Sequence, residues 1–147
     1  MKLFELKLDI LTDFMKSLSQ KEIKFYSIRD NCGQAALDFI DFAKKQGIEL
    51  HRVRGYFKAD SIVYDKADFT SVMKKEFKDS GLNFNLDSDR KKWIEQSKYF
   101  KEYHEIPHYW TIDSKNKIYD PSGYLQFVNT GLSKDLNKSR YFNGKLV

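Results

Sequence analysis

The stretch DNCGQAALDFIDFAKKQGIELHRVRGYF, residues 30–57, joins a helical pattern to a strand pattern. Its helical part, residues 33–46, carries apolar and small side chains at spacings of three and four: Ala36, Phe39, Ile40 and Ala43. Gly47 follows as a helix stop, and residues 48–57 alternate and are rich in β-forming residues, which predicts a strand. Cys32, the only cysteine of the chain, lies immediately before the predicted helix.

A cysteine at the start of a helix is well placed to ionise. The thiolate is the nucleophilic form, and a free thiol with a pKa of about 8.5 is only a few per cent ionised at neutral pH. A helix N-terminus supplies a partial positive charge and free N–H groups, which favour the anion. Asp30 or Asn31 can cap this helix, and Gly33 leaves no side chain beside the sulfur. Cys32 is therefore a candidate nucleophile, and a buried structural cysteine is the alternative.

A histidine and an aspartate further along the chain are candidate partners for the thiol. His108 begins a predicted strand over residues 108–113, and after a polar turn a second strand over residues 117–120 closes with Asp120. In such a hairpin His108 and Asp120 fall on roughly opposite positions, where their side chains can touch. The chain order is then nucleophile, base and orienting carboxylate.

These residues together resemble the transglutaminase-like branch of the papain-fold cysteine enzymes, over residues 29–123. The stretch quoted above resembles the cysteine-bearing central helix and following strand of that family. HYW (108–110) resembles its His-x-Trp, and IYDPSG (118–123) resembles its Asp-Pro ending. The resemblance implies Cys32 as nucleophile, His108 as general base and acid, and Asp120 as the carboxylate that fixes the imidazole.

The resemblance also implies a fold and an activity. The fold is a helix that holds the cysteine against an antiparallel sheet carrying the other two residues. The family covers proteases, transglutaminases, glutamine deamidases and other amide hydrolases, which all pass through a thioester-type acyl-enzyme. The implied function is thiol-dependent hydrolysis or acyl transfer at a peptide bond or a glutamine carboxamide of a protein, without a cofactor. The alternative is a catalytically inactive papain-like fold that binds a protein in its cleft.

The lining of the expected cleft is less defined than its centre. The backbone N–H of Cys32 is one natural donor to an oxyanion, and four side chains are candidates for a second: Gln20, Tyr26, Asn31 and Gln34. Trp110 shares a strand face with His108, so it could wall the cleft, shield the His–Asp pair or pack in the core. Many relatives have a large residue after the cysteine, whereas Gly33 stands here and leaves one wall unassigned.

Two other arrangements are open at this level. Asp113, near the end of the first strand, could orient the imidazole instead, although it heads into the turn, where we expect it to be solvated. Cys32 with His104 and His108 would supply three metal ligands. Pro107 lies between the two histidines and disfavours a helix through them, so no metal is expected.

Length and composition limit the class of protein. The chain has 147 residues, the usual size of one domain, and we expect a single domain over residues 1–147. Hydrophobic residues make up 41% and aromatic residues 16%, which permits a core and argues against disorder. The net charge of +5 comes from dispersed basic residues, which predicts a solvated basic surface and no nucleic-acid partner.

Cysteine usage and hydropathy indicate the compartment. One cysteine cannot form an internal disulfide. No stretch approaches the ~20 apolar residues of a membrane span, and Glu5, Lys7 and Asp9 interrupt the N-terminal segment, which is unlike a signal peptide. The sequence therefore predicts a protein of a reducing cytoplasm, that of its own cell or of a host, with no membrane partner.

The remaining patterns predict an α+β fold, with helices first and antiparallel strands later. Apolar residues at helical spacing predict further helices, and short apolar runs near the end of the chain predict further strands. The helices are expected over residues 8–20, 67–79 and 88–102, and the strands over residues 124–129 and 140–147.

Overall fold

The computed structural model describes residues 3–61 and 65–147, and the side chains of residues 3–9, within the N-terminal segment considered above, lie outside the described part. The described chain is a mixed α+β structure, as predicted. Its helices are α1 (Leu3–Ser17), α2 (Gln20–Tyr26), α3 (Cys32–Lys44), α4 (Ser71–Lys78), α5 (Asp87–Gln96), α6 (Phe100–His104) and α7 (Pro121–Gly123). Its strands are β1 (His51–Lys58), β2 (Glu105–Ile112), β3 (Ile118–Tyr119) and β4 (Tyr141–Leu146).

The strands form one antiparallel sheet in the order β3-β2-β1-β4. β1 and β2 pair along their whole length, from His51 opposite Ile112 to Lys58 opposite Glu105. β3 pairs with β2 only at Thr111 and Ile112. Within the described chain, no strand pairs with the earlier residues of β2 on that edge, and the N-terminal end of α3 packs there instead.

Helix α3 confirms the helix predicted over residues 33–46. Small and aromatic side chains on one face are buried in a core shared with α1 and α2: Ala35, Phe39 and Ala43. Gly47 has a φ of 77°, the left-handed conformation in which glycine ends helices. The following strand was predicted from residue 48 and begins at His51.

Three predicted helices differ in their boundaries. The pattern over residues 8–20 spans two helices, because Ser19 and Glu22 form a capping box that begins α2. The pattern over residues 88–102 is divided at Ser97, which has an extended backbone and whose hydroxyl donates to the Ile94 carbonyl. The pattern over residues 67–79 shortens to α4, because Thr70 caps its N-terminus at Met73.

The prediction of a strand over residues 124–129 is wrong, whereas that over 140–147 is confirmed by β4. Asp120 is the N-cap of α7 and accepts from the Gly123 N–H at 2.9 Å, and Pro121 begins the helix. The chain then continues as a π-helical segment, Tyr124–Val128. A capped start with proline at the first position outweighs the strand propensity of the apolar run.

One position of the sheet is restricted to glycine by the close approach of its neighbours. A Cβ at Gly55 would lie 2.5 Å from the Trp110 ring and 2.7 Å from the Phe142 carbonyl oxygen. We expect Gly55→Ala to lower the free energy of unfolding by about 2 kcal/mol or more, the scale of overpacking in a core. Urea denaturation measures this. Gly81→Ala is a useful comparison. Its backbone has a φ of 76°, which strains any residue with a side chain, but an added Cβ would have no described atom within 4 Å.

None of the helices in the described part of the chain is long and apolar enough to cross a bilayer.

Candidate active site

The centre of the site is a buried contact between an imidazole and a carboxylate. His108 lies in β2 and Asp120 follows β3, and only 1% and 3% of their surfaces are exposed. His108 Nε2 lies 2.7 Å from Asp120 Oδ2. Because an ionised carboxylate only accepts hydrogen bonds, Nε2–H donates to it. The imidazole is thereby fixed in one orientation.

The register of the hairpin differs from the prediction although the contact exists. Thr111 lies opposite Tyr119 and Ile112 opposite Ile118, so continuing the register would place Asp120 opposite Trp110 rather than His108. Asp120 lies past the end of β3, as the N-cap of α7. Its side chain reaches His108 diagonally across the hairpin, a relation that long side chains can bridge.

Asp120 is held by more donors than His108 alone. Its Oδ2 also accepts from the Tyr141 hydroxyl at 2.7 Å, and its Oδ1 accepts from the Ser122 hydroxyl at 3.2 Å and the Gly123 N–H at 2.9 Å. A Cβ added at Gly123 would overlap the Asp120 carboxylate. The turn after β3 thus fits the carboxylate closely and determines where it points.

Cys32 is the first residue of α3, and its thiol is a neighbour of the same imidazole. His108 Nδ1 has no partner in hydrogen-bond geometry among the described residues, sulfur included. The Cys32 thiol nevertheless lies near enough to the ring and to the backbone N–H of Tyr109 for both to lower its pKa. The imidazole is therefore bonded to the carboxylate of Asp120 and neighbours the thiol of Cys32.

The electrostatics of these three groups shift the thiol and the imidazole towards a charged pair. Burial raises the pKa of the Cys32 thiol, but the influence of His108 and of the Tyr109 N–H outweighs burial, so the pKa lies below its ordinary value. Burial lowers the pKa of His108, but the charge and hydrogen bond of Asp120, with the contact to Cys32, raise it from 6.5 to about 9. Both shifts favour a thiolate beside an imidazolium more than in the two isolated groups.

The two pKa shifts predict a stepped pH dependence for alkylation of Cys32. The rate should begin to rise at a lower pH than for an ordinary thiol, because the pKa of Cys32 is lowered, and it should rise again near pH 9, where His108 loses its proton and the thiolate becomes more nucleophilic. Iodoacetamide labelling across this range measures it. A single rise at or above pH 9.0, as for an isolated buried thiol, would contradict the charged pair.

The site faces a cleft of about 400 Å³ that includes both Cys32 and His108 in its lining. One wall is the sheet, with Arg54, Pro107 and Tyr109. The opposite wall comes from the turns and helices before and after α4, and it has an ion pair between Arg29 and Asp68 and further polar and apolar groups: Thr70, Met73, Glu102 and Tyr103. Cys32 itself is buried, with 6% of its surface exposed, at the lining of this cleft.

The predicted oxyanion donors are either bonded to another group or lie outside the cleft. The N–H of Cys32 donates to the Arg29 carbonyl in the turn that leads into α3, so it is already bonded. The four side chains considered as a second donor do not line the cleft in the described structure: Gln20, Tyr26, Asn31 and Gln34. Asn31 donates to the Phe25 carbonyl, and Tyr26 and Gln34 both donate to Asp38. Gln20 is exposed at the start of α2.

Trp110 shields the imidazole rather than lining the cleft. It is buried on the same sheet face as His108, with ring centroids 6.3 Å apart, and packs edge-on against Tyr141 at 5.0 Å. Phe127 from the π-helical segment covers another side of the His108 ring at 4.8 Å. The wall left unassigned by Gly33 is the ring of Tyr109, because a Cβ at Gly33 would lie 3.3 Å from it.

The two alternative arrangements are not assembled. Asp113 is buried rather than solvated, and it accepts from the Lys115 and Lys117 N–H groups, which shapes the turn of the hairpin. His104 stacks on Phe100 at 5.4 Å in α6, outside the cleft. No group of three or more metal-ligating side chains is found among the residues that the structure describes.

Two positioning residues were missed by the sequence interpretation. Tyr141 lies in β4, and nothing in the sequence relates it to Asp120. Gln126 is buried in the π-helical segment, and its amide donates to the carbonyls of Tyr26 at 2.8 Å and Ile28 at 3.1 Å. It thereby joins the segment after Asp120 to the turn before Cys32. A lone glutamine within an apolar run was the one available signal.

Comparisons of this chain with protein-family models, with curated proteins and with solved structures found no match.

Proposed function

We propose that the protein is a thiol-dependent hydrolase or acyltransferase that acts on carboxamides of proteins. The single observation that supports this proposal is that the buried imidazole of His108 is bonded to Asp120 and neighbours the Cys32 thiol, with Cys32 and His108 both in the lining of a cleft. A buried imidazole with a raised pKa, placed between a nucleophile and a carboxylate, is typical of nucleophilic catalysis. We further propose that α3 and the sheet form a papain-like core.

The proposed reaction follows from this geometry. The Cys32 thiolate attacks the carboxamide carbon, the C–N bond breaks, and the leaving ammonia or amine takes the proton from His108. A thioester to Cys32 remains. Water, or an amine in a transfer reaction, then attacks the thioester while His108 accepts its proton, and the C–S bond breaks to restore the thiolate. Asp120 keeps the imidazole oriented and stabilises its charged form.

The second candidate is a binding module without catalysis, and one observation favours it. The Cys32 N–H, the natural oxyanion donor, is bonded to Arg29 instead. An acyl transferase would need donors for the developing oxyanion, each worth about two to three orders of magnitude in rate. For the enzyme, the Thr70 hydroxyl is a candidate for such a donor. It lines the cleft and accepts from the Met73 N–H, so the hydroxyl can still donate its own hydrogen to a substrate.

Mass spectrometry of a cell lysate treated with wild-type protein or with Cys32→Ser tests the two candidates. A modification that depends on Cys32 supports the enzyme: new termini indicate proteolysis, deamidated glutamines indicate side-chain hydrolysis, and crosslinked lysines indicate transfer. Ser61→Ala is a control that changes an exposed hydroxyl outside the cleft. No Cys32-dependent change, with alkylation of Cys32 as slow as that of a free thiol, would favour the binding module.

A further inference from the structure

The outward face of the sheet carries two cations side by side near the cleft. Arg54 of β1 lies directly opposite Lys145 of β4, and both side chains are exposed. Like charges in this cross-strand relation repel each other, which costs folding stability. Neither cation has an ion-pair partner among the described residues. The pair is therefore unneutralised within this part of the protein.

The pair lines a groove that adjoins the candidate active site. The groove has a volume of about 220 Å³, and Tyr56, Pro107 and Asn143 line it together with the two cations. Arg54 and Pro107 also line the cleft that contains Cys32. A chain lying in the cleft can thus extend into the groove past the Arg54 guanidinium.

A third cation strengthens the positive potential beside Arg54 and Lys145. Arg52 lies on the same face of β1 as Arg54. The guanidinium of Arg52 lies 4.7 Å from the centre of the Tyr109 ring, and that of Arg54 lies 5.9 Å from it. Arg52 also donates to the Gly33 carbonyl at 3.4 Å, next to Cys32. These contacts tie the cationic face to the end of α3 that carries the thiol.

The cleft itself contains charges of both signs. Asp30 and Glu102 are exposed in its lining, whereas Asp68 is paired with Arg29. The groove beside it is lined by Arg54 and Lys145 and by no aspartate or glutamate among the described residues. An anionic group is therefore attracted to the groove more than to the cleft.

We propose that Arg54 and Lys145 bind an acidic side chain of the protein substrate, next to the carboxamide presented to Cys32. This rests on the proposed function for the identity of the bound segment, but binding itself requires no turnover. A carboxylate between the two cations neutralises their repulsion, and the planar guanidinium of Arg54 suits its two oxygens. The substrate class is then a carboxamide flanked by aspartate or glutamate.

The test uses the Cys32→Ser protein and two labelled peptides, so that no covalent step is needed. One peptide has glutamates and the other glutamines on both sides of a central glutamine, and fluorescence anisotropy gives each Kd. We expect the glutamate peptide to bind more tightly, with a preference that falls as salt rises. Arg54→Gln with Lys145→Gln should weaken its binding about tenfold, the scale of two exposed ion pairs.

The matched control removes two charges elsewhere. Lys58 lies on the same face of β1 but opposite Glu105, and Lys91 is exposed in α5, so Lys58→Gln with Lys91→Gln should leave the preference in place. Equal binding of the two peptides, or equal weakening by both double variants, would overturn the proposal. So would tighter binding of a single-stranded oligonucleotide that depends on Arg54 and Lys145. Circular dichroism checks that each variant is folded.

This design separates the acidic subsite from the proposed catalysis. If the Glu preference depends on the cation pair but the lysate shows no Cys32-dependent modification, the subsite stands and the enzyme proposal fails. If the lysate shows modification at carboxamides with no acidic neighbours, the enzyme proposal stands and the subsite fails.

Discussion

Replacing His108 with Ala is expected to slow the alkylation of Cys32 by iodoacetamide at pH 6. At this pH a thiol with the ordinary pKa of about 8.5 is only ~0.3% thiolate, and His108 raises that fraction because it lowers the pKa of Cys32. The lower basicity of the thiolate offsets about half of this gain on a logarithmic scale. The expected loss is therefore about threefold for each pH unit by which His108 lowers the pKa.

The loss can exceed this value because of where the thiol lies. Without His108, burial is the largest influence on the pKa of Cys32, and burial raises it. His51→Ala is the matched control, because His51 is an exposed histidine of β1 outside the cleft. Equal alkylation rates at pH 6 for wild type and His108→Ala would mean that the imidazole does not ionise the thiol.

Replacing Asp120 with Asn is expected to lower the pKa of His108 from about 9. Burial of the ring lowers its pKa, and in the native protein Asp120, together with the neighbouring Cys32, overcomes this influence. Asparagine keeps the size of the side chain but removes the charge, so that only Cys32 then opposes burial. Titration of the His108 ring by NMR measures the change.

The same substitution has a pH-dependent effect on stability. A pKa raised on folding contributes stability that is complete below the unfolded value of 6.5 and is lost as the pH rises through about 9. For His108 this contribution is roughly 3 kcal/mol, at 1.36 kcal/mol per pKa unit. Asp120→Asn should therefore destabilise the protein by about that much near pH 6 and by less above pH 9, as measured by urea denaturation.

Asp113→Asn is the control for this experiment. Asp113 is a buried carboxylate of the same hairpin, but it accepts hydrogen bonds from the Lys115 and Lys117 N–H groups of the turn. The substitution can lower stability through the turn, yet the pKa of His108 should stay near 9. A similar fall in that pKa for both variants would show that the effect comes from loosening of the hairpin.

Sequence patterns predicted the helices and strands whose formation depends on residues near one another in the chain. Helix α3 follows from apolar spacing and a glycine stop, and β4 follows from a short apolar run. The errors arose where a polar side chain outweighed the apolar pattern. Ser19 begins a helix inside a predicted one, Ser97 divides another, and Asp120 caps a helical turn where a strand was expected to follow.

The site was predictable where two chemical groups lie on one hairpin, and less so where distant segments meet. The contact of His108 with Asp120 follows from an antiparallel hairpin, even though the register was shifted by two residues. The oxyanion donors were not predictable, because the hydrogen bond of the Cys32 N–H depends on the turn before α3. Tyr141 comes from a strand on the far side of the sheet, and only tertiary structure brings its hydroxyl to Asp120.

The enclosure of His108 constrains how a proton can travel. Phe57, Trp110 and Phe127 surround its ring, and Asp120 fixes Nε2, so the imidazole has no space to turn over. Proton exchange with an incoming molecule is therefore confined to the Nδ1 side, beside the sulfur. In the reaction proposed above, a leaving group would therefore take its proton from that side of the ring.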